Sequence, residues 1–222
     1  MQIVAVISPK GGAGKTTLAM NLSSQLASME LRVRLFDLDP QAGATRWARL
    51  DVAQNLRFAV TTLRLGSNQN ALMEALRAAS RLDIAVVDTP PERSPDISMC
   101  LRYANVALIP VAASPLDLWG AQEALRQVHE VQQERDRARP LAIFVPSRLV
   151  TGSLLARTLP LTLAKIGEHI SPPIHQRVAV AEAAIAGKTA REYEPRSKAA
   201  QEFDRVAKYV LDMLRSCAES KQ

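Results

Sequence analysis

Cysteine and long apolar runs are scarce in this sequence, and each scarcity excludes a class of protein. The chain has two cysteines, Cys100 and Cys217, which are far apart and form no CxxC pair, so neither a disulfide framework nor a cysteine-held metal cluster is expected. No apolar run approaches the ~20 residues of a membrane span. The sequence also enters a strand pattern directly, without the pattern of a signal peptide. We therefore expect a cytoplasmic protein without stable membrane association.

Nothing in the sequence divides the chain, because it contains no internal repeat, low-complexity tract or long linker. Its 222 residues can bury a sizeable core, and a content of 47% hydrophobic and 23% charged residues is ordinary for a globular protein. We expect a single domain over residues 1–222. The charge is uneven, since 28 Lys and Arg residues exceed 22 Asp and Glu residues and give a net charge of +6. Such a balance favours polyanionic partners, either nucleic acid or an anionic membrane surface.

Short apolar runs alternate with longer helical patterns along the chain. The runs are almost continuously apolar, as in strands buried on both faces, and they predict an α/β fold with a mostly parallel sheet and helices on both faces. The strands are predicted at 3–7, 33–36, 56–60, 84–87, 106–111 and 141–145. The helices are predicted at 16–29, at 70–79, after the segment 114–119 as far as about residue 137, at 153–167 and in the segment after Pro195.

A glycine-rich stretch, residues 9–17, lies between the first predicted strand and the first predicted helix. A strand that ends in such a turn and opens a helix points several backbone N–H groups, and the positive end of the helix dipole, at one small volume. That volume suits a phosphate chain, which the glycines allow the main chain to approach closely. Lys15 is then expected on the β- and γ-phosphates, and the Thr16 hydroxyl is expected to be a Mg²⁺ ligand.

The loop meets the pattern xKGGxGK[ST] rather than GxxxxGK[ST], because Pro9 replaces the first glycine and Lys10 adds a second lysine. In this it resembles the ParA/MinD family of P-loop ATPases, and more narrowly the small ParA-type partition ATPases without an N-terminal helix-turn-helix. The resemblance implies a P-loop NTPase fold, ATP and Mg²⁺ as cofactors, and an ATP-bound homodimer in which Lys10 reaches the nucleotide of the other subunit. It implies nucleotide contacts at Lys10, Gly11, Gly12, Ala13, Gly14, Lys15, Thr16 and Thr17.

Carboxylates follow two of the predicted strands. Asp37 and Asp39 follow the second strand, and Asp88 closes the apolar run 84–87. The carboxyl ends of parallel strands share the edge that carries the glycine-rich loop, where open α/β sheets bind ligands. Asp88 has the form of a Walker B carboxylate that holds Mg²⁺ through water, and residues 89–91 would be the switch segment beside it. By the resemblance, Asp39 matches the residue that orients or activates the attacking water, and Asp37 matches one near the Mg²⁺ water shell.

The catalytic residues implied are Lys10, Lys15 and Asp39. Phosphoryl transfer needs positioning and charge neutralisation more than covalent chemistry, which suits this set of side chains. No glutamate stands beside Asp88 to act as a strong base, since Thr89 and Pro90 follow it. We therefore expect ATP hydrolysis to be slow without a stimulating partner.

Contacts to the adenine are harder to assign. The resemblance implies that they come from the ends of later strands, here 110–117 and the residues Pro146, Ser147 and Arg148. Many relatives have an Asn-Lys or Asn-Arg pair near the second place, so this sequence leaves readout of the base by the main chain open. Trp47 and Trp119 are interpreted as packing residues rather than base-stacking groups.

A set of basic residues stands in the C-terminal third, whose sequence resembles the closing segment of small ParA proteins. By this resemblance the set is a candidate for contacting DNA phosphates without sequence preference, which would associate the protein with the nucleoid. The candidates are Arg177, Lys188, Arg191, Arg196, Lys198 and Arg205.

The function indicated is an ATP-dependent dimerising switch that partitions plasmid or chromosomal DNA, or positions a large cargo, with a ParB-like, centromere-binding or cargo-adaptor partner. Two alternatives stay open: a MinD-like ATPase that cycles on a membrane, and a metabolic or metal-carrier enzyme on the same fold. The lack of a cysteine pair argues against a metal carrier. The last helix has a narrow apolar face with mixed charges around it, so we expect it to dock on the sheet. That face consists of Phe203, Val206, Val210, Leu211 and Leu214.

Overall fold

Parallel strands form a single sheet in the computed structural model of the chain, which describes residues 1–50, 55–64, 70–91, 95–134, 139–166 and 168–219. The strands are β1 (Gln2–Val6), β2 (Val33–Asp37), β3 (Ala59–Thr62), β4 (Ile84–Asp88), β5 (Val106–Val111), β6 (Leu141–Pro146) and β7 (His169–Ile170). They lie in the order β3-β2-β4-β1-β5-β6-β7, and every pair is parallel. The α/β fold with a parallel sheet is therefore confirmed.

Helices cover both faces of this sheet. They are α1 (Lys15–Ser28), α2 (Gly43–Arg49), α3 (Ala71–Ala78), α4 (Pro95–Tyr103), α5 (Pro115–Glu134), α6 (Leu154–Ala164), α7 (Val178–Ile185), α8 (Ala190–Tyr193) and α9 (Lys198–Glu219). Alternate residues of one strand enter different cores, since Val4 and Val6 of β1 pack with α1 and α9 while Ala5 packs with α4 and α5. This burial on two faces explains the continuous apolar runs.

Helix α1 is the most enclosed of the helices that are described, because it lies between the sheet and α9. Its residues from Leu18 to Ala27 are all buried, and Asn21, Ser24 and Gln25 among them bond to the segment around α8. Thr189 Oγ1 donates to Ser24 Oγ (2.9 Å), and Ser24 Oγ donates to Glu192 Oε1 (2.6 Å). These bonds satisfy polar groups that would otherwise be costly to bury. The helix that begins at the glycine-rich loop is thereby fixed to the C-terminal segment.

The apolar face of α9 packs on α1 and the sheet, as expected from the sequence. Phe203, Val206, Val210 and Leu214 are buried in the core that also contains Leu22 and Leu26 of α1, and Leu211 is partly buried beside them. Within the described ranges, no helix has the length and apolar content needed to traverse a lipid bilayer.

Several predicted boundaries differ from the observed ones, and some short elements were missed. The strand predicted at 56–60 lies at Ala59–Thr62 instead, where its residues pair with Arg34 to Asp37, while Leu56 packs against the core before the strand begins. Residues 135–137 and 167, predicted as helix ends, lie outside the described residues. The missed elements are α2, α4, β7, α7 and α8.

Candidate nucleotide-binding site

The glycine-rich loop joins β1 to α1 at the carboxyl edge of the sheet. Gly12 and Gly14 have φ angles of 76° and 90°, a conformation in which a residue with a Cβ is strained. Because Gly14 caps α1 without a side chain, the first-turn amides of this helix face the loop without a carbonyl partner inside the helix. They form, with the positive end of the helix dipole, the arrangement that binds phosphate.

Lys15 is buried at the base of this loop. Its Nζ donates to the carbonyl oxygens of Ser8 (3.2 Å) and Lys10 (3.3 Å), so the loop's own main chain orients the ammonium group. Burial lowers the pKa of Lys15, and the nearby carboxylates of Asp88 and Asp39 oppose this effect. The side chain is thus a cation held inside the loop, where an anionic ligand would compensate its loss of water.

Thr16 and Asp88 meet across the loop. Thr16 Oγ1 donates to Asp88 Oδ2 at 2.7 Å, and the other oxygen of Asp88, Oδ1, is buried without a hydrogen-bond partner among the described residues. Burial raises the pKa of Asp88 to about 7 against the lowering effect of the Thr16 hydroxyl, and the charge of Asp37 raises it further. An unsatisfied buried carboxylate oxygen next to a hydroxyl fits a hard divalent cation, which prefers oxygen ligands.

Asp37 and Asp39 occupy different environments although they are two residues apart. Asp37 is fully buried, and its oxygens accept from the backbone N–H (2.8 Å) and Oγ1 (2.7 Å) of Thr45 and from the N–H of Asp39 (3.2 Å). Asp39 is partly exposed, lines the cavity over the glycine-rich loop and accepts from the N–H of Gln41 (2.8 Å). Asp37 therefore fixes the turn before α2, and this turn presents Asp39 to the loop.

Lys10, the second lysine of the loop, forms an ion pair within its own chain. Its Nζ lies 2.8 Å from Asp117 Oδ1, and 41% of the Lys10 side chain is exposed. Burial acts to raise the pKa of Asp117, but hydrogen bonds from Lys10 and Ser114 outweigh it and hold that pKa below its ordinary value. Asp117 lies in a range from which base contacts were expected, and its side chain binds Lys10 in this structure.

Two adjoining cavities lie over the loop. The smaller one, of about 310 Å³, is lined by residues of the loop together with Asp39, Pro91 and Arg148. The larger one, of about 780 Å³, extends to Ser147 and to apolar side chains of α7 and α9. Gly14, Thr17 and Arg148 line both cavities, so they mark the passage between them.

The residues proposed to contact the base lie at this passage or beside it. Pro146 ends β6 and is buried, and Ser147 is buried with its hydroxyl donating to the carbonyl of Val145 (2.9 Å). Arg148 is exposed, and its Nη1 donates to the carbonyl of Gly12 at 2.9 Å. The structure therefore brings Arg148 to the glycine-rich loop itself, 136 residues away in the sequence.

The tryptophans behave differently from each other. Trp47 is partly buried against the core, and its indole N–H donates to the carbonyl of Lys188 (3.1 Å), as expected for a packing residue, and it also lines the larger cavity. Trp119 is 64% exposed on the first turns of α5, so the same interpretation is wrong for it. The start of α5 has one side exposed to solvent, and Trp119 lies on that side.

The basic candidates of the C-terminal third divide by exposure. Arg196, Lys198 and Arg205 are exposed on α9 and the segment before it. Lys188 and Arg191 are partly buried, and Arg191 Nη1 donates to Gln25 Oε1 (3.3 Å). Arg177 Nη2 donates to Glu202 Oε1 at 2.6 Å, and only 24% of the Arg177 side chain is exposed. The guanidinium of Arg177 thus has an internal partner.

Glu202 organises the turn that lines the larger cavity. Its side chain is 3% exposed and accepts from the backbone N–H of His175 (3.0 Å) as well as from Arg177, and its Oε1 lies 3.0 Å from His175 Nδ1. Burial acts to raise the pKa of Glu202, but these donors outweigh it and lower the pKa below the ordinary value of 4.5. The carboxylate of α9 therefore holds residues 175–177 in place.

Replacing Glu202 with alanine is expected to destabilise the fold by about 2 kcal/mol at neutral pH, a value below that of a fully buried pair because Arg177 is partly exposed. Since the folded-state pKa is depressed, the contribution is complete above the ordinary glutamate range and is lost as the pH falls through the folded-state pKa. Urea unfolding should show this difference in the free energy of unfolding between wild type and variant at pH 7, and a smaller difference at about pH 3. Glu182→Ala, an exposed site on α7, is the control; equal gaps at both pH values would contradict the assignment.

Some residues of the site were missed in the sequence. Asp117 and Thr45 act through side-chain bonds, and Ser8 acts through its carbonyl. Asp117 carried a local signal, because Ser114 accepts from the N–H of Asp117 (3.1 Å) in the Ser-x-x-Asp pattern that opens α5. Thr45 carried none, since its pairing with Asp37 depends on how the turn between them closes.

The fold and this loop define the chain as a P-loop nucleotide-binding domain. It belongs to the CobQ/CobB/MinD/ParA nucleotide binding domain family, whose model matches residues 4–190. Among the described residues no cluster of three or more His, Cys, Asp or Glu side chains could hold a metal ion by itself. The site thus offers a few oxygen ligands at a phosphate-binding loop rather than a metal cage of its own.

Similar proteins cover nearly the whole chain. It is 31% identical over 238 residues to the chromosome-partitioning ATPase Soj of Thermus thermophilus, covering 94% of each protein. It is 33% identical over 216 residues to the maintenance of carboxysome distribution protein A of Gloeobacter kilaueensis, covering 92% of this chain and 94% of that protein. The resemblance to ParA-type proteins drawn from the loop therefore holds across the sequence.

Solved structures share the fold. Apo McdA of Cyanthece has a TM-score of 0.75 at 20% sequence identity and covers 95% of this chain and 99% of that chain. The MinC:MinD cell division protein complex of Aquifex aeolicus has a TM-score of 0.75 at 16% identity and covers 96% of each chain. At these identities the likeness establishes the arrangement of the sheet and helices.

Proposed function

We propose that the chain is an ATP-dependent dimerising switch that binds DNA without sequence preference and partitions plasmid or chromosomal DNA, or positions a large intracellular cargo. The observation that carries the proposal is the convergence of Lys15, Asp39 and Asp88 on one glycine-rich loop that lines a cavity of about 310 Å³. The similarity to relatives named for chromosome partitioning and carboxysome distribution supports it.

The two cavities suggest how ATP would lie. The phosphates would occupy the smaller cavity against the first-turn amides of α1, and the nucleoside would occupy the larger one. Lys15, fixed by the carbonyls of Ser8 and Lys10, would meet the β- and γ-phosphates without rearrangement. Such preorganisation lowers the entropic cost of binding.

Thr16 and Asp88 would hold Mg²⁺, since their oxygens are adjacent and Asp88 Oδ1 is unsatisfied among the described residues. When bound, Mg²⁺ would supply positive charge that neutralises the β- and γ-phosphates. The raised pKa of Asp88 is consistent with this use, because a carboxylate that is costly to ionise alone is stabilised by a nearby cation.

Asp39 would orient or activate the attacking water. It is partly exposed at the loop cavity, and the turn fixed by Asp37 holds it there. No glutamate stands directly after Asp88, since Thr89 and Pro90 follow it, so hydrolysis would be weak until a ParB-like, centromere-binding or cargo-adaptor partner stimulates it. Slow hydrolysis would let the ATP-bound state persist, which is what a timed switch requires.

In the ATP-bound state two subunits would close face to face. Lys10 would leave Asp117 and reach the nucleotide of the other subunit. Exposed Arg196, Lys198 and Arg205, together with Lys188, Arg191 and Arg177, would then contact DNA phosphates from the dimer surface. The protein would be cytoplasmic and nucleoid-associated, without stable membrane association, in keeping with the burial of the apolar face of α9.

ATP with Mg²⁺ is expected to produce a dimer that binds random-sequence duplex DNA, whereas ADP is not. Because non-specific binding releases counterions, the logarithm of the affinity should fall steeply with the logarithm of the salt concentration. Alanine at Arg196, Lys198 or Arg205 should each reduce that slope by about 1 and weaken binding to all sequences equally. Fluorescence anisotropy of a labelled duplex over a salt series measures both effects.

Arg126→Ala is the matched control, because Arg126 is an exposed arginine on α5, on the other face of the sheet, and pairs with Glu123 at 2.6 Å. DNA binding that is equal with ADP and ATP would contradict the proposal. Flotation with anionic vesicles in the presence of ATP tests the membrane-cycling alternative, and co-flotation of the protein would favour it.

A further inference from the structure

Arg148 has a backbone conformation that is unusual for a residue with a side chain. Its φ angle is +55°, in the left-handed region that residues with a Cβ rarely adopt. Its neighbours are both anchored, since Ser147 N–H donates to the carbonyl of Val111 (2.8 Å) and Leu149 N–H donates to the carbonyl of Ile174 (3.2 Å). The chain therefore turns at Arg148 alone, and this turn leaves its side chain exposed while both neighbours are buried.

The turn brings the guanidinium of Arg148 to the glycine-rich loop. Nη1 donates to the carbonyl of Gly12 at 2.9 Å, and Arg148 lines both the smaller and the larger cavity. A single hydrogen bond to a carbonyl uses only part of the forked donor set of a guanidinium. The same fork matches the oxygens of a phosphate, to which it can donate in pairs.

The charges around Arg148 also indicate an anion. Lys10 and Lys15 belong to the same loop, and the positive end of the α1 dipole points at it. A third cation beside these groups is repelled unless a negative charge lies among them. Asp117, near both Lys10 and Arg148, compensates part of this charge. A phosphate chain that passes from the smaller to the larger cavity would compensate the rest.

We propose that Arg148 contacts the phosphate chain of the bound nucleotide from its own subunit, at the passage between the two cavities, rather than contacting the base. This rests on the proposed function, in which ATP occupies the loop. The guanidinium exchanges the Gly12 carbonyl for phosphate oxygens when nucleotide binds. Arg148 is then a third cation on the phosphates beside Lys15 and the Lys10 of the other subunit, and it links their binding to the turn at residues 147–149.

The test compares ATP, GTP, ADP and inorganic tripolyphosphate by isothermal titration calorimetry in the presence of Mg²⁺. Arg148→Ala is expected to weaken ATP, ADP and tripolyphosphate by the same factor, about 10-fold or more, as expected for a lost charge-assisted hydrogen bond. The ratio of ATP to GTP affinity should stay at the wild-type value. Arg148→Lys should recover part of the loss, because it restores the charge without the fork.

Two further variants separate the charge from other effects. Arg148→Gly suits the left-handed backbone, so a loss equal to that of Arg148→Ala assigns the effect to the guanidinium and not to strain in the turn. Arg157→Ala, at an exposed arginine of α6, removes the same charge away from the loop and should bind as wild type.

Wild-type affinity of Arg148→Ala and Arg148→Gly for tripolyphosphate would overturn the proposal, and so would a loss confined to ATP–GTP discrimination, which would assign Arg148 to the base. An equal loss of affinity in Arg157→Ala would show that the effect depends only on the net charge of the protein, and it would overturn the proposal as well. A wild-type chain that binds neither ATP nor tripolyphosphate would instead refute the proposed function, so the two failures are distinguishable.

Discussion

Lys15→Ala is expected to abolish ATP binding, with a loss of affinity of at least about 100-fold, because several charge-assisted hydrogen bonds to phosphate disappear together. The ammonium group is already buried and oriented by the carbonyls of Ser8 and Lys10, at 3.2 Å and 3.3 Å. No other lysine occupies the loop's base in the described structure, and Lys10 is drawn away to Asp117. Calorimetric titration of the variant with ATP and Mg²⁺ measures the loss.

The fold of this variant should be intact. Removing a buried ammonium removes a desolvated charge, whose burial lowers the pKa of Lys15, so the melting temperature of the ligand-free protein should not fall. Lys165→Ala, at an exposed position just after α6, is the control for the loss of a positive charge. ATP affinity within a few-fold of wild type in Lys15→Ala would refute the assignment of the loop as a phosphate site.

Asp39→Ala is expected to keep ATP binding within a few-fold and to lower ATP turnover by about 100-fold or more, the usual range for losing a positioned proton acceptor. Asp39 lines the loop cavity, and the described structure gives its carboxylate a bond to the N–H of Gln41, which a turn can lose without unfolding. With hydrolysis blocked, the ATP-bound dimer should accumulate. Phosphate release measures turnover, and light scattering after size-exclusion chromatography measures the dimer.

Asp212→Ala is the matched control, since it removes an exposed carboxylate from α9, far from the loop in the sequence. Turnover should be unchanged in this control. Wild-type turnover in Asp39→Ala would remove Asp39 from the catalytic residues. Failure of the variant to dimerise in saturating ATP would contradict the proposed switch, because blocked hydrolysis can only lengthen the life of the ATP-bound state.

The parts of the structure that depend on local pattern could be predicted from the sequence. The glycine-rich loop, the strand before it and the helix after it lie within a few residues of their predicted places, because steric rules and phosphate chemistry fix all three together. The strand ends that carry Asp37 and Asp88 follow for a similar reason: parallel register sets these residues side by side once the apolar runs are aligned.

The rest depends on contacts between distant residues. Lys10 and Asp117 are 107 residues apart, and Arg148 and Gly12 are 136 apart, so no spacing in the sequence indicates either pair. The short helices α7 and α8 lack a long periodic pattern, and α8 is stabilised by bonds to α1 such as Ala190 N–H to Asn21 Oδ1. The different roles of Asp37 and Asp39 arise in the same way, because only the closed turn brings Thr45 to Asp37.

The ion pair between Lys10 and Asp117 has a consequence for the selectivity of the proposed dimer. In the proposed dimer Lys10 cannot pair with Asp117 while it binds the nucleotide of the second subunit. Closure would therefore replace the Lys10–Asp117 ion pair by a Lys10–phosphate contact, and only the difference between these two attractions would favour it. A diphosphate carries less negative charge than a triphosphate, so its attraction for Lys10 would exceed that of Asp117 by less. The carboxylate of Asp117 would thereby compete with the nucleotide for Lys10, and the charge of the nucleotide would decide which of the two Lys10 binds.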